Sequence, residues 1–494
     1  MVLKAIRLLK WFAVALVIVM ATVLAVRAYD AQRGPPLELW HTFVPHELSA
    51  KEIDASDWRQ YMAAEEKAFA GVQAEVTERL EPHARHAGNR YFTGSPVYPG
   101  QFARDWNRSY TMQPEGAPVG AVVLLHGLTD SPYSLRHIAQ RYLEAGYVAV
   151  AIRMPGHGTV PGGLADVEWE QWTAATRLSV REARRLAGPS VPLHVIGFSN
   201  GGALAMKYAL EATTDKSLAR PDKIVLIAPM IGITSLARFA GVMGWPAVFP
   251  AFAKAAWLGV VPEFNPFKFN SFPVNGARQS SLVARALQQD IAQSASEGRL
   301  GELAPVLTFQ SVVDFTVSTR AIVDALYLNL PPNGSELVLF DINRNTKFGP
   351  LLPRNTETVL ARLLPDAPRT FRTTVITNAS PYSAEVDERV TEAGSTTEQV
   401  RPLGLTYPTE VFSLSHLALS FPMNDSLYGM TPDSPPEFGI HLGAMATRGE
   451  RGILIVSLDS LSRMSSNPFF PYVLERIEEG MGQGGTGGTA GPRD

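Results

Sequence analysis

Between residues 121 and 310, short apolar runs alternate with longer amphipathic stretches. Ala121-Val122-Val123-Leu124-Leu125 is continuously apolar, as expected of a strand buried on both faces rather than one alternating between core and solvent. A helix-like stretch from Ser134 to Ala145 follows, then a strand from Tyr147 to Arg153 and a helix from Trp169 to Leu186. The pattern continues with strand Leu193 to Ile196, helix Gly201 to Glu211, strand Lys223 to Ile227 and, after a long gap, strand Val306 to Gln310. This alternation predicts an α/β fold with a mostly parallel, doubly wound sheet. Such a sheet carries its functional loops at the carboxyl ends of its strands.

The flanks follow other patterns. Lys4, Arg7 and Lys10 precede an uncharged run from Trp11 to Val26, closed by Arg27. That run spans about 24 Å as helix, against about 30 Å of bilayer hydrocarbon. With Leu8, Leu9 and a snorkelling Lys10 it extends to about 19 residues. We read residues 1–33 as a membrane anchor with the basic end inside, which exports the rest of the chain, into the periplasm if the source is bacterial. The alternative is a cleaved signal and a secreted product, although neither Val23-Leu24-Ala25 nor Val26-Arg27-Ala28 is a good cleavage site. Arg33-Gly34-Pro35-Pro36 reads as a stiff linker, and residues 34–106 as linker plus helical extension.

Within that extension, Ser49-Ala50-Lys51-Glu52 has capping-box spacing. Trp58, Met62, Phe69, Val72, Val76 and Leu80 form a helical stripe that Glu65 interrupts, expected to pack on the main domain, with a membrane-surface helix as the alternative. The remaining divisions expected are core at 107–229, a cap or lid at 230–304, and a second core part at 305–479 containing an insertion at 342–408. Within the insertion, Glu357 to Leu364 is helix-like and Phe371 to Ile376 strand-like. The Gly/Thr-rich tail at 480–494 reads as disordered, and no internal repeat is visible.

Composition removes whole classes of function. The 494-residue chain is 46% hydrophobic and 18% charged, a globular balance. Its net charge of −3, with no Lys/Arg-rich run past residue 10, gives no footprint for nucleic acid. With no cysteine, disulfides, thiolate metal sites, iron–sulfur ligation and a thiol nucleophile are all excluded.

Gly197-Phe198-Ser199-Asn200-Gly201 follows a strand and precedes a helix. This is G-x-S-x-G in the context of a nucleophile elbow. A tight strand-to-helix turn holds the hydroxyl proud of the sheet, and the helix amino end offers a positive dipole to an oxyanion. The structural alternative is a glycine-rich helix start.

Leu124-Leu125-His126-Gly127-Leu128-Thr129-Asp130-Ser131, Met154-Pro155-Gly156-His157-Gly158 and the elbow together resemble the α/β-hydrolase superfamily. The likeness is to its esterase, monoacylglycerol lipase and lysophospholipase-like branch, over roughly residues 107–230. The resemblance implies an oxyanion hole made by the backbone N–H groups of Leu128 and Asn200, and a structural role for His157. It also implies the order Ser, then Asp or Glu, then His. Only His416 and His441 lie beyond Ser199. His416, after the strand-like Glu410-Val411-Phe412-Ser413-Leu414, is preferred as base; His441 has no clear preceding strand. The acid is assigned to Asp314 in Gln310-Ser311-Val312-Val313-Asp314, with Asp341, ending strand Glu336 to Phe340, as its rival. The separation of 102 residues between Asp314 and His416 departs from the family pattern, in which it is usually far smaller.

Residues 230–304 are rich in Phe, Trp, Met and Pro, notably Trp245 to Phe252 and Pro262 to Phe272, and Arg278 to Gly298 is an amphipathic helix. In the resembling enzymes this connection forms a lid, and an apolar roof would accommodate an acyl chain. A subdomain that merely packs is the plain alternative. The expectation is a serine hydrolase of carboxylic, acyl or lipid esters that needs no metal or organic cofactor. A serine rather than an aspartate at the elbow argues against dehalogenase-type relatives. A peptidase or acyltransferase of the same fold, and a non-catalytic membrane-anchored binding protein, are the other readings. The expected partners are a small-molecule ester or lipid and a membrane, and not nucleic acid.

Overall fold

The computed structural model describes residues 2–232, 244–314, 316–343, 363–409, 411, 414–432, 437–443 and 465–481. Most of the helix expected over Glu357 to Leu364, much of the strand at 410–414 and all but the start of the tail lie outside these residues.

In chain order the strands are β1 (Tyr110–Met112), β2 (Gly120–Leu125), β3 (Tyr147–Ile152), β4 (Leu193–Phe198) and β5 (Lys223–Ile227). After them come the short β6 (Trp257–Gly259) and β7 (Phe272–Pro273), then β8 (Val306–Ser311), β9 (Glu336–Asp341), β10 (Arg372–Asn378), β11 (Glu385–Thr391) and β12 (Glu398–Thr406). Among the described residues, one ten-stranded sheet has the order β1-β3-β2-β4-β5-β8-β9-β10-β11-β12, and β6 pairs with β7 apart from it. The run from β3 to β10 is parallel throughout, flanked by antiparallel β1 on one edge and β11 and β12 on the other. Every residue of β2, β3, β4, β8 and β9 is buried, and β2 and β3 accordingly lack charged or amide side chains, whereas β4, β8 and β9 also bury polar ones such as His194, Gln310 and Glu336.

Helices cover both faces. Trp169–Ala187, Asn200–Thr214 and Val274–Ser296 contribute to one core cluster, which includes Trp172, Leu204 and Leu287. Arg136–Glu144 and Phe470–Glu478 pack on the other face, with Ile138, Tyr142, Phe470 and Val473. Truncating any one of these large buried side chains costs about 2–5 kcal/mol. The sheet is doubly wound, as expected of an α/β hydrolase.

Two expectations are corrected. Glu65 does not interrupt a helical stripe. On the helix Trp58–Val72 the buried positions are Tyr61, Glu65, Ala68 and Val72, so Glu65 lies in the middle of the buried face. Its carboxylate accepts from Arg153 Nε at 3.0 Å and from the Ser109 hydroxyl at 2.7 Å, while Arg153 also meets Glu47 at 2.7 Å. A buried charge held by an opposite charge and hydrogen bonds is indistinguishable, in sequence, from a solvated one. The helix also ends at Val72 in a π turn (Gln73–Thr77) instead of running through Leu80. The strand expected over Phe371 to Ile376, within the 342–408 segment, is present as β10 and joins the main sheet. β10 pairs in parallel with β9, and β11 and β12 add a meander that was not foreseen.

The capping box at Ser49 is formed, with Ser49 N–H donating to Glu52 at 2.8 Å. The helix over Arg278 to Gly298 starts earlier, at Val274. The amino-terminal helix Val2–Arg33 is long and apolar enough over Ile6–Arg33 to cross a membrane; its most apolar 18-residue window has mean hydropathy 2.4, and none of that window is buried. Its end meets the 250–257 segment: Arg27 donates to the Trp257 carbonyl, the Gln32 side chain to the Ala251 carbonyl, and Lys254 to the Gly34 carbonyl at 2.8 Å.

Candidate active site

The chain leaves β2 toward β3 on one side, then returns past β2 to β4 on the other. The reversal falls between β2 and β4, and a doubly wound sheet opens a crevice at the carboxyl ends of such strands. The loops after Leu125 and Phe198 meet there.

Ser199 sits between β4 and the helix Asn200–Thr214 with φ 54° and ψ −114°, a left-handed strain that a non-glycine residue adopts only when its surroundings force it. Its N–H donates to the Ile227 carbonyl at 2.9 Å, and its carbonyl accepts from Met230 at 3.0 Å. The turn closes only because its flanks lack side chains. A Cβ at Gly197 would strike the backbone of Gly201 and Gly202, and one at Gly201 would strike the carbonyls of Leu125 and His126.

His416 brings its Nε2 to 3.0 Å from Ser199 Oγ and its Nδ1 to 2.8 Å from Asp314 Oδ2. Because an ionised carboxylate only accepts, Nδ1 carries the proton and Nε2 faces the serine hydroxyl as acceptor. Asp314 follows β8 and takes two further hydrogen bonds on Oδ1, from the N–H groups of Thr316 (2.7 Å) and Val317 (3.0 Å). Burial alone would push its carboxyl up, but His416 and these donors outweigh that and hold it below the usual carboxylate value. The ring of Phe198 lies 5.2 Å from that of His416. The structure therefore brings Ser199, His416 and Asp314 into one hydrogen-bonded chain. Asp341 ends β9, and the carboxylate on His416 is Asp314 instead. The histidine on the serine is His416 and not His441, whose buried Nε2 has no hydrogen-bond partner among the described residues.

Leu128 lines the cavity beside Ser199, and Asn200 follows Ser199 directly in the chain. Asn200 opens its helix, and among the described residues neither residue's N–H donates to a protein acceptor. The loop carrying Leu128 is fixed from behind. Met154 N–H donates to His126 Nε2 at 3.0 Å, which leaves His126 Nδ1 to donate to the Gly127 carbonyl at 2.8 Å. Burial pulls the His126 pKa down to about 3, so the ring is a neutral strut. His157 is fully buried, 5.0 Å from the His126 ring, and is away from the serine. Asn200 Oδ1 accepts from Ser280, on the helix Val274–Ser296, at 2.8 Å.

A cavity of about 450 Å³ opens over Ser199, with apolar walls from Leu128, Met230, Phe264, Phe269, Phe272 and Leu417. The 230–304 segment thus supplies much of the wall. No group of acidic and histidine side chains suited to a metal ion occurs among the described residues.

One element of the site had no signal in the sequence. Asp425, fully buried nine residues past His416, takes an ion pair from Arg136 (2.7 Å), and hydrogen bonds from His137 (2.8 Å), Tyr133 (3.0 Å) and the N–H groups of Leu427 and Tyr428. It ties the loop bearing His416 to the segment that follows the Leu128 loop. Burial alone would raise its carboxyl, but Arg136 and His137 hold it far below the ordinary value.

Residues 116–321 match the family described as "Serine aminopeptidase, S33" (Hydrolase_4). Over 96 residues the chain is 36% identical to a thermostable monoacylglycerol lipase of Bacillus sp. (strain H-257), covering 19% of this chain and 36% of the relative. It is 32% identical over 103 residues to a monoacylglycerol lipase of Mycolicibacterium smegmatis, covering 19% of this chain and 34% of that one. The chain thus spans about a third of the length of these curated relatives. A solved structure of the metagenome-derived lipolytic enzymes LipS and LipT aligns with 52% of this chain and 97% of its own, at 20% identity and a TM-score of 0.38. The chain has the α/β-hydrolase fold, and in its core it is similar to esterase- and monoacylglycerol lipase-type hydrolases.

Proposed function

We propose that the protein is a membrane-tethered serine hydrolase that cleaves carboxylic esters of acyl lipids through an acyl-enzyme. The reading rests above all on the unbroken hydrogen-bonded chain from Asp314 through His416 to Ser199 at the wall of an apolar cavity. Ser199 Oγ attacks the ester carbonyl while His416 Nε2 takes its proton. The N–H groups of Leu128 and Asn200 receive the developing oxyanion, a contribution worth several kcal/mol. His416 then returns the proton to the departing alcohol, and Asp314 holds the imidazole in the right tautomer and steadies its charge. Water, activated by the same histidine, releases the acid. Similarity of the core to monoacylglycerol lipases and the apolar helix Val2–Arg33 favour a lipid ester presented at a membrane, with the catalytic domain outside the cytoplasm.

The S33 description favours a second reading, an aminopeptidase using the same three side chains. Such an enzyme must hold a peptide's α-ammonium, for which a carboxylate is the natural partner, and no Asp or Glu lines the cavity among the described residues. The test is hydrolysis of p-nitrophenyl esters from acetyl to palmitoyl by the full chain in neutral detergent, beside Ser199→Ala and an aminoacyl p-nitroanilide. The expected result is ester turnover, with an optimum at an extended acyl chain, that disappears in the variant. Turnover of the anilide alone would replace the esterase reading with the peptidase.

A further inference from the structure

The segment that follows the amino-terminal helix is folded into the back of the cavity wall. Leu39–Thr42 forms a single helical turn, and Trp40 and His41 within it are buried. Trp40 stacks on Tyr91 with ring centres 5.4 Å apart. The carbonyls of His41 and Phe43 press against Gly162, where a Cβ would strike the Phe43 carbonyl. The His41 ring meets the Trp257 ring edge-on at 4.8 Å, and the Trp257 carbonyl is the one that Arg27 of the amino-terminal helix reaches. The end of that helix and the turn after it therefore grip the same strand, β6.

Both nitrogens of His41 are engaged. Glu38 N–H donates to Nδ1 at 2.9 Å, so Nε2 carries the proton and donates to Ser271 Oγ at 3.0 Å. Burial pulls the His41 pKa down to about 4, which keeps the ring neutral and this assignment fixed at neutral pH. Ser271 Oγ also accepts from Val261 N–H (3.1 Å) and donates to the Val261 carbonyl (2.9 Å), which closes the base of the loop between β6 and β7. Asn270 and Phe272, on either side of Ser271, line the cavity. The rest of the loop has ties of its own. Glu263 accepts from the N–H groups of Asn270 (3.0 Å) and Ser271 (2.7 Å), Arg90 donates to the carbonyls of Asn265 (3.1 Å) and Lys268 (3.4 Å), and Phe269 N–H donates to that of Thr129 (2.8 Å). Loss of the His41 contact would therefore loosen the Ser271–Phe272 end and leave the loop otherwise in place.

We infer that His41 is a positioning residue for substrate specificity: by backing Ser271 it holds Phe272 as a wall of the acyl cavity, so the segment emerging from the amino-terminal helix sets which acyl chains are accepted. This rests on the ester-hydrolase reading and deepens it. A long acyl chain must lie along the apolar wall, whereas an acetyl group needs little beyond Ser199 and its immediate neighbours. The two kinds of ester thus report the wall and the chemistry separately.

The test measures hydrolysis of p-nitrophenyl acetate and p-nitrophenyl dodecanoate by the full chain in neutral detergent, in the parent, His41→Ala, His41→Gln and Ser271→Ala. The expected result for His41→Ala is a loss of about tenfold in kcat/KM on the dodecanoate, carried mainly by KM, and of about twofold or less on the acetate. His41→Gln, whose amide nitrogen reaches the place of Nε2, regains most of the loss. Ser271→Ala reproduces it, and the double variant with His41→Ala is no worse than either single one. Equal losses on both esters would give His41 a general role in folding, and no loss on either would remove it from the site; both overturn the inference. Hydrogen exchange separates this from failure of the hydrolase reading, because it needs no substrate. Exchange about tenfold faster over residues 260–273 in His41→Ala, with β2 and β4 unchanged, supports the brace even if no ester is turned over. Exchange there as slow as in the parent, or faster along the whole chain, contradicts it.

Discussion

The two halves of the candidate site are held by different means. On the serine side the backbone does the positioning. Ser199 hangs from β4, its N–H is locked to the Ile227 carbonyl, and the helix crosses β2 so closely that Gly201 has no room for a side chain. On the histidine side, His416 rides an irregular turn before the short helix Ala418–Ser420, and side chains fix it: Asp314 from below and Asp425, with Arg136 and His137, from behind. The first arrangement is rigid because it is part of the sheet. The second is as rigid only while a few buried charges stay paired.

The contrast is broken most forcefully at the chemistry. Ser199→Ala and His416→Ala should each lower kcat by roughly 10³–10⁶-fold, and the double variant should be little worse than either, since the residues act as a unit. Far-UV circular dichroism should be unchanged in all three. Independent, multiplying losses would argue against a shared proton path.

Next in size is the anchor of the histidine side. Asp425→Asn leaves the buried Arg136 without its counter-charge and should destabilise by about 3–5 kcal/mol, read as a lower urea midpoint. It should also lower kcat in the variant that remains folded, because the loop bearing His416 loses its tie. A full loss of stability with unchanged kcat would mean that the anchor serves folding alone.

Acid should act on stability through buried neutral histidines outside the Asp314–His416–Ser199 chain. Burial pulls His126 and His194 down to about 3 and His41 to about 4, and pushes His157 lower as well. The unfolded chain binds protons at these sites below about pH 6.5, whereas the folded one refuses them until near pH 3–4. Stability from these groups is therefore complete above about pH 6.5 and falls as pH drops, by about 2 kcal/mol per histidine at pH 5. Urea midpoints between pH 8 and pH 5 should decline accordingly, and His194→Gln should flatten the slope by about one proton. A flat profile would place these rings in a more solvated setting than the fold indicates.

The smallest effect is the most specific to the serine side. Glycine tolerates φ 54° without strain, so Ser199→Gly should raise stability by about 1 kcal/mol while abolishing turnover. Ser199→Ala should give no such gain. Equal stabilities for the two would mean that the elbow stores no strain.

The same contrast explains what the sequence made legible. Where the backbone positions a residue, the pattern is local. β2 and β4 are apolar runs ending in glycine-bearing turns, so the strand, elbow and helix could be read in register. Ser199, and the loop at His126-Gly127-Leu128, carried motif and context together. Where side chains do the positioning, the information lies in pairs far apart in the chain. Asp425 meets Arg136 and His137 across the fold, and Glu65 meets Arg153, so each acid alone reads as a surface residue. His416 and Asp314 were expected through the residue order that the resemblance implies, with His441 and Asp341 as rivals, and their distance could not be read at all. β11 and β12 were missed for a related reason. β12 is largely exposed and carries Pro402, so neither alternation nor an apolar run marks it.

The central claim, that Ser199 is a nucleophile activated by His416, is tested most directly by labelling the folded full chain with a fluorophosphonate and locating the adduct by peptide mass. The account predicts one label per chain on the peptide containing Ser199, absent in Ser199→Ala and greatly slowed in His416→Ala. A folded parent that takes no label, or one labelled at another serine, would contradict it.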